Sequence, residues 1–215
     1  MLKGRLLSIL GDSISTYRGV SNDTSANSTL FYNPYYYYDP FPLERTYWAR
    51  LISSLGLELC VNNSYSGGNL SGREFEGSGV NRANNLSRDD GTEPDLIIVF
   101  MGLNDLGRGV DVSTFASDYE RTLQIIKQRH PKAHVCCVNI FDRDIFLRDR
   151  ALAFNLAIEN AARSAGERFF VADAFNSRLR GDFYYMNTTD GLHPDEDGMK
   201  IIAEIIEEAI NHHFI

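Results

Sequence analysis

Three side chains in this sequence are of the types that make up a serine nucleophile and its base. Ser13 follows the apolar run "LLSIL" at residues 6–10, and Asp190 and His193 stand three residues apart in "DGLHP". A serine hydroxyl becomes a good nucleophile only when a base takes its proton, and imidazole titrates near neutral pH. A carboxylate at the other ring nitrogen would fix the tautomer of the imidazole and stabilise its charge. These residue types predict acyl transfer, provided that the fold brings Ser13 to His193.

Acyl transfer also needs hydrogen-bond donors for the oxyanion that develops on the substrate, and two further segments offer them. The stretch "NNSYSGGN" holds Gly67 and Gly68, and the stretch "MGLND" holds Asn104. The candidate donors are the backbone N–H groups of Ser13 and Gly67 and the side-chain amide of Asn104. Glycine suits the second position because a substrate must approach its backbone closely.

Five apolar runs predict the strands that would position these residues. The runs cover residues 6–10, 57–61, 95–101, 133–140 and 168–173. Near-continuous apolar runs suit strands that are buried on both faces of a parallel sheet. Helical patterns fall between them, at residues 43–56, 113–130, 148–165 and 195–214. The alternation predicts a layered α/β fold with strand order 2-1-3-4-5, whose ligand site lies at the carboxyl ends of the strands, where all four motif segments would meet.

The segments "GDSIS", "NNSYSGG", "GLND" and "DGLHP" resemble the four blocks of the SGNH hydrolases, also called GDSL esterases and lipases. The match covers nearly the whole chain in the family's order and spacing. The resemblance implies a flavodoxin-like three-layer α/β/α sandwich with a five-stranded parallel sheet, formed by a single domain over residues 1–215. It also implies serine-dependent ester hydrolysis with Ser13, Asp190 and His193 as catalytic residues.

The resemblance further implies that Ser13, Gly67 and Asn104 form the oxyanion hole and that no metal or organic cofactor is needed. Two positions depart from the family pattern. Ile14 replaces the usual leucine of the first block, and Ser64 stands where many members carry a glycine. The second departure leaves Gly68 as the alternative to Gly67.

A long segment at residues 20–42 carries three prolines and a dense block of aromatic residues. Flat rings near a pocket mouth could stack on sugar rings or hold an acyl chain, and the candidates for such substrate contacts are Tyr35, Tyr36 and Tyr37. An equally good explanation is that the tyrosine rings cover the flank of the core and keep their hydroxyls in water.

Other polar or reactive residues are expected to be structural. Asp12 and Asp105 are expected to tie loops by hydrogen bonds. His212 and His213 are expected to form a frayed, solvated end rather than a metal site. The cysteines lie in apolar runs without metal-ligand or disulfide spacing, which predicts small buried side chains in a reducing compartment: Cys60, Cys136 and Cys137.

The formal net charge of −8 makes nucleic acid and anionic membranes poor partners, because such a surface repels phosphate groups. The N-terminal apolar stretch is too short for a signal peptide, and no run approaches the length of a membrane span, so we expect a cytoplasmic protein. The expected ligand is a small-molecule or carbohydrate ester.

The leading hypothesis is a serine esterase that removes short acyl groups, above all acetyl groups, from carbohydrate. A lysophospholipase or thioesterase acting on longer acyl chains is the alternative among enzymes. A catalytically inactive, carbohydrate-binding domain on the same scaffold is the alternative from another class. A flavin-binding flavodoxin would share the fold, but it would leave the pairing of Asp190 with His193 unexplained.

Overall fold

The structure, a computed structural model, describes residues 2–22, 32 and 41–215. Within these residues, five strands form one parallel sheet in the order β2-β1-β3-β4-β5, which confirms the predicted topology. The strands are β1 (Leu6–Gly11), β2 (Glu58–Ser64), β3 (Leu96–Phe100), β4 (His134–Val138) and β5 (Phe169–Ala172). Every residue of β3 is buried, as expected for a central strand that is covered on both faces.

Helices cover both faces of this sheet. They are α1 (Tyr47–Leu55), α2 (Gly79–Arg82), α3 (Leu103–Gly107), α4 (Val112–Arg129), α5 (Arg148–Ala165), α6 (Gly181–Met186) and α7 (Glu196–His213). Helix α1 packs against α7, and α4 packs against α5. Strand β2 lies on one side of β1, and β3, β4 and β5 follow on the other side. Because every crossover is right-handed, the helices of these two parts of the sheet lie on opposite faces. The result is the expected flavodoxin-like α/β/α sandwich.

Capping side chains fix where the long helices begin. Asp111 accepts a hydrogen bond from the Ser113 N–H at 2.8 Å, and α4 ends two residues before Pro131. Asp195 accepts one from the Gly198 N–H at 2.9 Å and starts α7. The start of α7 lies just after His193, so this cap anchors one end of a motif segment.

The structure differs from the sequence prediction where polar loops contain short helices. The helix predicted over residues 43–56 is a 3₁₀ turn at Leu43–Arg45 followed by α1, because Thr46 is extended and caps α1 with its side chain. Helices α2, α3 and α6 were not predicted, since each is too short to show a helical hydrophobic period.

The predicted frayed C-terminus is wrong. Helix α7 continues to His213, whose ring stacks on Phe170 with 4.0 Å between ring centroids. The Nε2 atom of His213 lies 2.8 Å from Nδ1 of His134. Stacking and a hydrogen bond therefore hold the end of the helix against the sheet.

The described interior includes the cysteines and two aromatic residues of α1. The three cysteines are free and buried, as predicted. Trp48 and Tyr47 are buried on α1. Over the ranges given above, no helix combines the length and the apolar character that crossing a membrane requires.

Candidate active site

The structure brings Ser13, His193 and Asp190 into one hydrogen-bonded relay. Ser13 lies in the turn that follows β1, and its Oγ is 3.0 Å from Nε2 of His193. The Nδ1 atom of the same ring is 2.8 Å from Oδ2 of Asp190. The two ring nitrogens thus face a hydroxyl and a carboxylate, which is the arrangement that a serine nucleophile needs. Residues separated by 180 positions in the chain meet at the carboxyl end of β1.

A tight turn holds the carboxylate of Asp190 against His193. Oδ1 of Asp190 accepts hydrogen bonds from the N–H groups of Leu192, at 3.0 Å, and His193, at 2.7 Å. Gly191 has φ +82°, a left-handed conformation that glycine adopts without strain. Burial acts to raise the pKa of Asp190, but the hydrogen bonds from His193 and Leu192 outweigh it and hold this pKa below its usual value. The carboxylate is therefore ionised when it faces the imidazole.

Two buried tyrosines fix the loop that carries His193. The hydroxyl of Tyr184 donates to the carbonyl of Leu192 at 2.8 Å, and that of Tyr32 donates to the carbonyl of Pro194 at 2.7 Å. The ring of Tyr32 also meets the imidazole edge-on, with 6.2 Å between centroids. Burial raises the pKa of the Tyr32 hydroxyl well above its ordinary value, so the group stays a donor.

Tyr32 belongs to the aromatic block that the sequence suggested for substrate contacts or for covering the core. The structure places it in the core, yet its hydroxyl is bonded to the His193 loop rather than to water. The three residues that the sequence singled out, Tyr35, Tyr36 and Tyr37, lie outside the described residues.

Of the two glycines in the second motif segment, only one has its N–H engaged by a described residue. The N–H of Gly68 donates to the carbonyl of Tyr65 at 3.0 Å. No acceptor for the Gly67 N–H is found among the described residues, and Gly67 has φ +69°. Arg108 holds this turn through the carbonyl of Gly67, at 2.7 Å, and through Oδ1 of Asn69, at 2.6 Å.

The side-chain amide of Asn104 lies between the first two motif segments. Its Nδ2 donates to the carbonyl of Gly68 at 3.1 Å and to Oδ2 of Asp12 at 3.3 Å. Asn104 is partly exposed, so its amide is within reach of a bound molecule. It joins the turn after β1 to the turn after β2.

The two neighbouring aspartates tie loops, as predicted. Asp105 accepts hydrogen bonds from the N–H groups of Leu70, at 2.7 Å, and Ser71, at 2.9 Å. Asp12 accepts one from the Ile14 N–H at 3.0 Å in addition to that from Asn104. Burial raises the pKa of Asp12 to about 7, against the hydrogen bond from Ile14 and the positive charge of Arg82, which lower it.

Sequence reasoning missed the roles of three residues that shape this site: Tyr32, Arg82 and Arg108. Arg82 is buried among the motif segments, although it stands in a polar stretch where nothing in its neighbours marks it. Across residues 2–22, 32 and 41–215, no group of three or more His, Cys, Asp or Glu side chains is arranged to hold a metal ion.

Comparison with known proteins gives a family and several similar folds. The sequence model of the GDSL-like Lipase/Acylhydrolase family matches residues 9–201. No curated protein matches the sequence. A protein from Bacteroides uniformis that was assigned as a GDSL-like lipase is 25% identical, with a TM-score of 0.68 over 97% of this chain and 96% of that chain.

Two further structures share the fold at lower identity. A family two carbohydrate esterase from Clostridium thermocellum, in complex with cellohexaose, is 16% identical, with a TM-score of 0.72 over 100% of this chain and 66% of that chain. The protein TesA is 18% identical, with a TM-score of 0.65 over 97% of this chain and 98% of that chain.

The family match begins inside β1, before the turn with Ser13, and ends in α7, beyond the loop with His193. It therefore spans every segment that contributes to the relay and to the neighbouring amide donors. The chain belongs to the GDSL-like lipase and acylhydrolase family of ester-hydrolysing enzymes.

Proposed function

We propose that the protein is a serine esterase that hydrolyses carboxylic esters through an acyl-enzyme intermediate. Ser13 is the nucleophile, His193 is the general base and acid, and Asp190 orients and stabilises the imidazole. One observation carries the proposal: Oγ of Ser13 lies 3.0 Å from the imidazole whose other nitrogen lies 2.8 Å from a carboxylate. Both distances allow direct proton transfer or hydrogen bonding.

The reaction proceeds in two steps. Oγ of Ser13 attacks the ester carbonyl while its proton passes to Nε2 of His193, and the carbonyl oxygen becomes an oxyanion. Collapse of this intermediate breaks the bond to the alcohol, which takes the proton from His193. Water then attacks the acyl group by the same route, and Ser13 regains its proton as the carboxylic acid leaves.

The oxyanion is stabilised by three donors: the N–H groups of Ser13 and Gly67 and the amide of Asn104. The engaged N–H of Gly68 makes it a poorer donor than Gly67. Asn104 must turn one N–H toward the substrate, and the bond that it gives up most easily is the longer one, at 3.3 Å to Asp12.

For the substrate, we propose short acyl groups, in particular acetyl groups on carbohydrate. Support comes from the similar fold of the family two carbohydrate esterase from Clostridium thermocellum, which was solved with cellohexaose. A net charge of −8 disfavours anionic substrates and leaves neutral sugar esters as good ligands.

One observation favours longer acyl chains as the second candidate. Helix α6, which leads into the loop of His193, exposes large apolar side chains: Phe183 at 43%, Tyr185 at 42% and Met186 at 76%. Exposed apolar surface beside a reactive group could hold an alkyl chain.

The test is a series of 4-nitrophenyl esters from acetyl to medium-chain acyl groups, assayed with the wild type and with Ser13→Ala. Ser54→Ala is the matched control. It also removes a hydrogen-bonded serine hydroxyl, but that hydroxyl donates to Glu207 between α1 and α7 and has no part in the proposed mechanism. We expect loss of turnover on the order of 10⁴-fold in Ser13→Ala and none in the control. Wild-type turnover in purified Ser13→Ala would refute the mechanism, and a peak at medium chains rather than at acetyl would favour the second candidate.

A fluorophosphonate probe distinguishes the esterase from an inactive carbohydrate-binding domain. The probe should label Ser13 in the wild type and leave Ser13→Ala unlabelled. An unlabelled wild type that still binds sugars would favour the binding domain.

A further inference from the structure

Arg82, the last residue of α2, joins the segments that lead into the candidate active site. Its side chain is buried, and its Nε donates to the carbonyl of Gly77 at 2.8 Å. One Nη atom donates to the carbonyl of Gly11, the last residue of β1, at 2.9 Å. The other Nη donates to the carbonyl of Asn63, near the end of β2. A single guanidinium therefore holds three backbone carbonyls from three parts of the chain.

The same group also contacts the segment that follows β3 and the turn that carries Gly67. Its Nη2 lies 3.4 Å from Sδ of Met101, which follows β3. A Cβ atom added to Gly68 would lie 3.4 Å from the same nitrogen, so the guanidinium packs directly against the turn that carries Gly67. The carbonyl of Gly11 is two residues before Ser13. Arg82 thus contacts the supports of both backbone donors.

Arginine suits this task for a physical reason. Burying a charge costs free energy unless hydrogen bonds compensate for it. A guanidinium presents five N–H donors in a rigid planar fork, so the positions of the acceptors that it joins are fixed relative to each other. An ammonium group is a compact point charge and imposes no such geometry.

We propose that Arg82 is a positioning residue of the esterase, setting the spacing between the oxyanion donors Ser13 N–H and Gly67 N–H. The inference rests on the proposed function. The two donors belong to separate loops, after β1 and after β2, and Arg82 bonds to both of the strands that carry them. The guanidinium also brings a fixed positive charge beneath the site, where it favours a developing negative charge on the substrate.

The effect should appear in kcat rather than in KM, because the oxyanion exists only in the transition state and the intermediates. A displacement of about 1 Å in a reacting geometry costs on the order of 10²-fold in rate. We expect Arg82→Lys to lower kcat by about 10- to 100-fold with KM within about threefold of the wild type. Arg82→Ala should lose more, since both the donors and the charge are gone.

The matched control is Arg88→Ala. Arg88 donates to the carbonyls of Leu59, at 2.6 Å, and Cys60, at 3.4 Å, so it also binds the backbone of β2. Its contacts lie toward the start of that strand, away from the motif segment. We expect Arg88→Ala to keep the wild-type kcat even if its melting temperature falls.

The decisive readout is chemical rescue. Millimolar guanidinium, far below denaturing concentrations, should restore kcat in Arg82→Ala and leave Arg88→Ala and the wild type unchanged. A purely structural role would lower the melting temperature without selective rescue. Circular dichroism and thermal melts establish folding of each variant, and Arg82→Lys carries the test if Arg82→Ala does not fold.

The proposal is overturned if the folded Arg82 variants keep kcat within twofold of the wild type, or if their loss equals that of Arg88→Ala. It is also overturned if Arg82→Lys does not fold, because the residue would then act through folding alone. Ser13→Ala is assayed in parallel. An active Ser13→Ala would refute the proposed function itself, whereas an inactive Ser13→Ala beside fully active Arg82 variants would refute only the positioning role.

Discussion

Replacing Asp12 with asparagine should change how the free energy of unfolding depends on pH. Burial raises the pKa of this carboxyl to about 7 in the folded protein, from 3.8 in a solvated reference. Each pH unit between the two values is worth about 1.4 kcal/mol, so the interval from 3.8 to about 7 corresponds to about 4 kcal/mol.

The sign follows from which state holds the proton. Between pH 4 and pH 7 the folded protein keeps a proton on Asp12 that the unfolded chain has already released, so this group lowers stability as pH rises. Above about pH 7 the penalty is constant. Asparagine is neutral at every pH in this range. Its one carbonyl oxygen can replace only one of the two carboxylate oxygens that accept from Ile14 and Asn104, and the lost hydrogen bond costs about 1–3 kcal/mol at every pH.

The assay is urea denaturation of the wild type and Asp12→Asn at intervals from pH 4 to pH 8. We expect the variant to gain about 4 kcal/mol relative to the wild type across this range, with equal denaturant slopes. Asp90→Asn is the control: hydrogen bonds from Thr92 lower the pKa of Asp90, so its effect is confined to more acidic solutions. A constant difference between the wild type and Asp12→Asn from pH 4 to pH 8 would refute the reasoning.

Three further substitutions test other parts of the structure. Gly198→Ala would push a Cβ atom into the carbonyl oxygen of Asn187, so the loop that leads to the imidazole should shift. We expect the free energy of unfolding, from thermal melts, to fall by about 1–3 kcal/mol and kcat in ester assays to drop at least tenfold. Asp190→Asn should lower kcat on the order of 10⁴-fold, since an amide no longer selects the reactive tautomer of the imidazole. His213→Phe should make the loss of stability between about pH 7 and pH 5 shallower in urea titrations. Burial lowers the pKa of both His213 and His134, so the unfolded chain binds more protons in that range.

Each of these substitutions has a control or a contrary outcome. Gly107→Ala, where an added Cβ meets no atom within 4 Å, should leave kcat unchanged. Unchanged turnover in Asp190→Asn would remove the carboxylate from the mechanism. An equal pH slope in His213→Phe and the wild type would show that the histidine pair does not contribute to the acid sensitivity of the fold.

The sequence predicted the strands and the sheet topology, because these depend on apolar runs and on the order of strands and helices along the chain. The apolar run before Ser13 suits an inner strand, and the alternation of such runs with helical patterns leaves few topologies. Because parallel strands end at a common edge, the sequence also predicted that Ser13, Gly67 and Asn104 lie near one another, whereas the approach of His193, which precedes α7 rather than follows a strand, was a hypothesis taken from the motif order. The left-handed turn at Gly191 agrees with the short spacing between Asp190 and His193.

The contacts that hold the site together could not be predicted in this way. Arg82 and Tyr32 act by donating to backbone carbonyls, and every residue of the chain carries such a carbonyl. No residue type at the far end marks the pairing, so only tertiary geometry reveals it. The same holds for His213, whose position depends on the ring of Phe170 from another element.

The reactive groups are held by two different sets of contacts. Ser13 and the amide donors are fixed by strand ends, by Asp105 and by the guanidinium of Arg82, all of which belong to the first half of the chain. His193 is fixed by the turn of Asp190 and by tyrosine hydroxyls that reach its loop from the core. The hydrogen bond between Ser13 and His193 is where the two supports meet, so its 3.0 Å length depends on the packing of α7 as much as on the sheet.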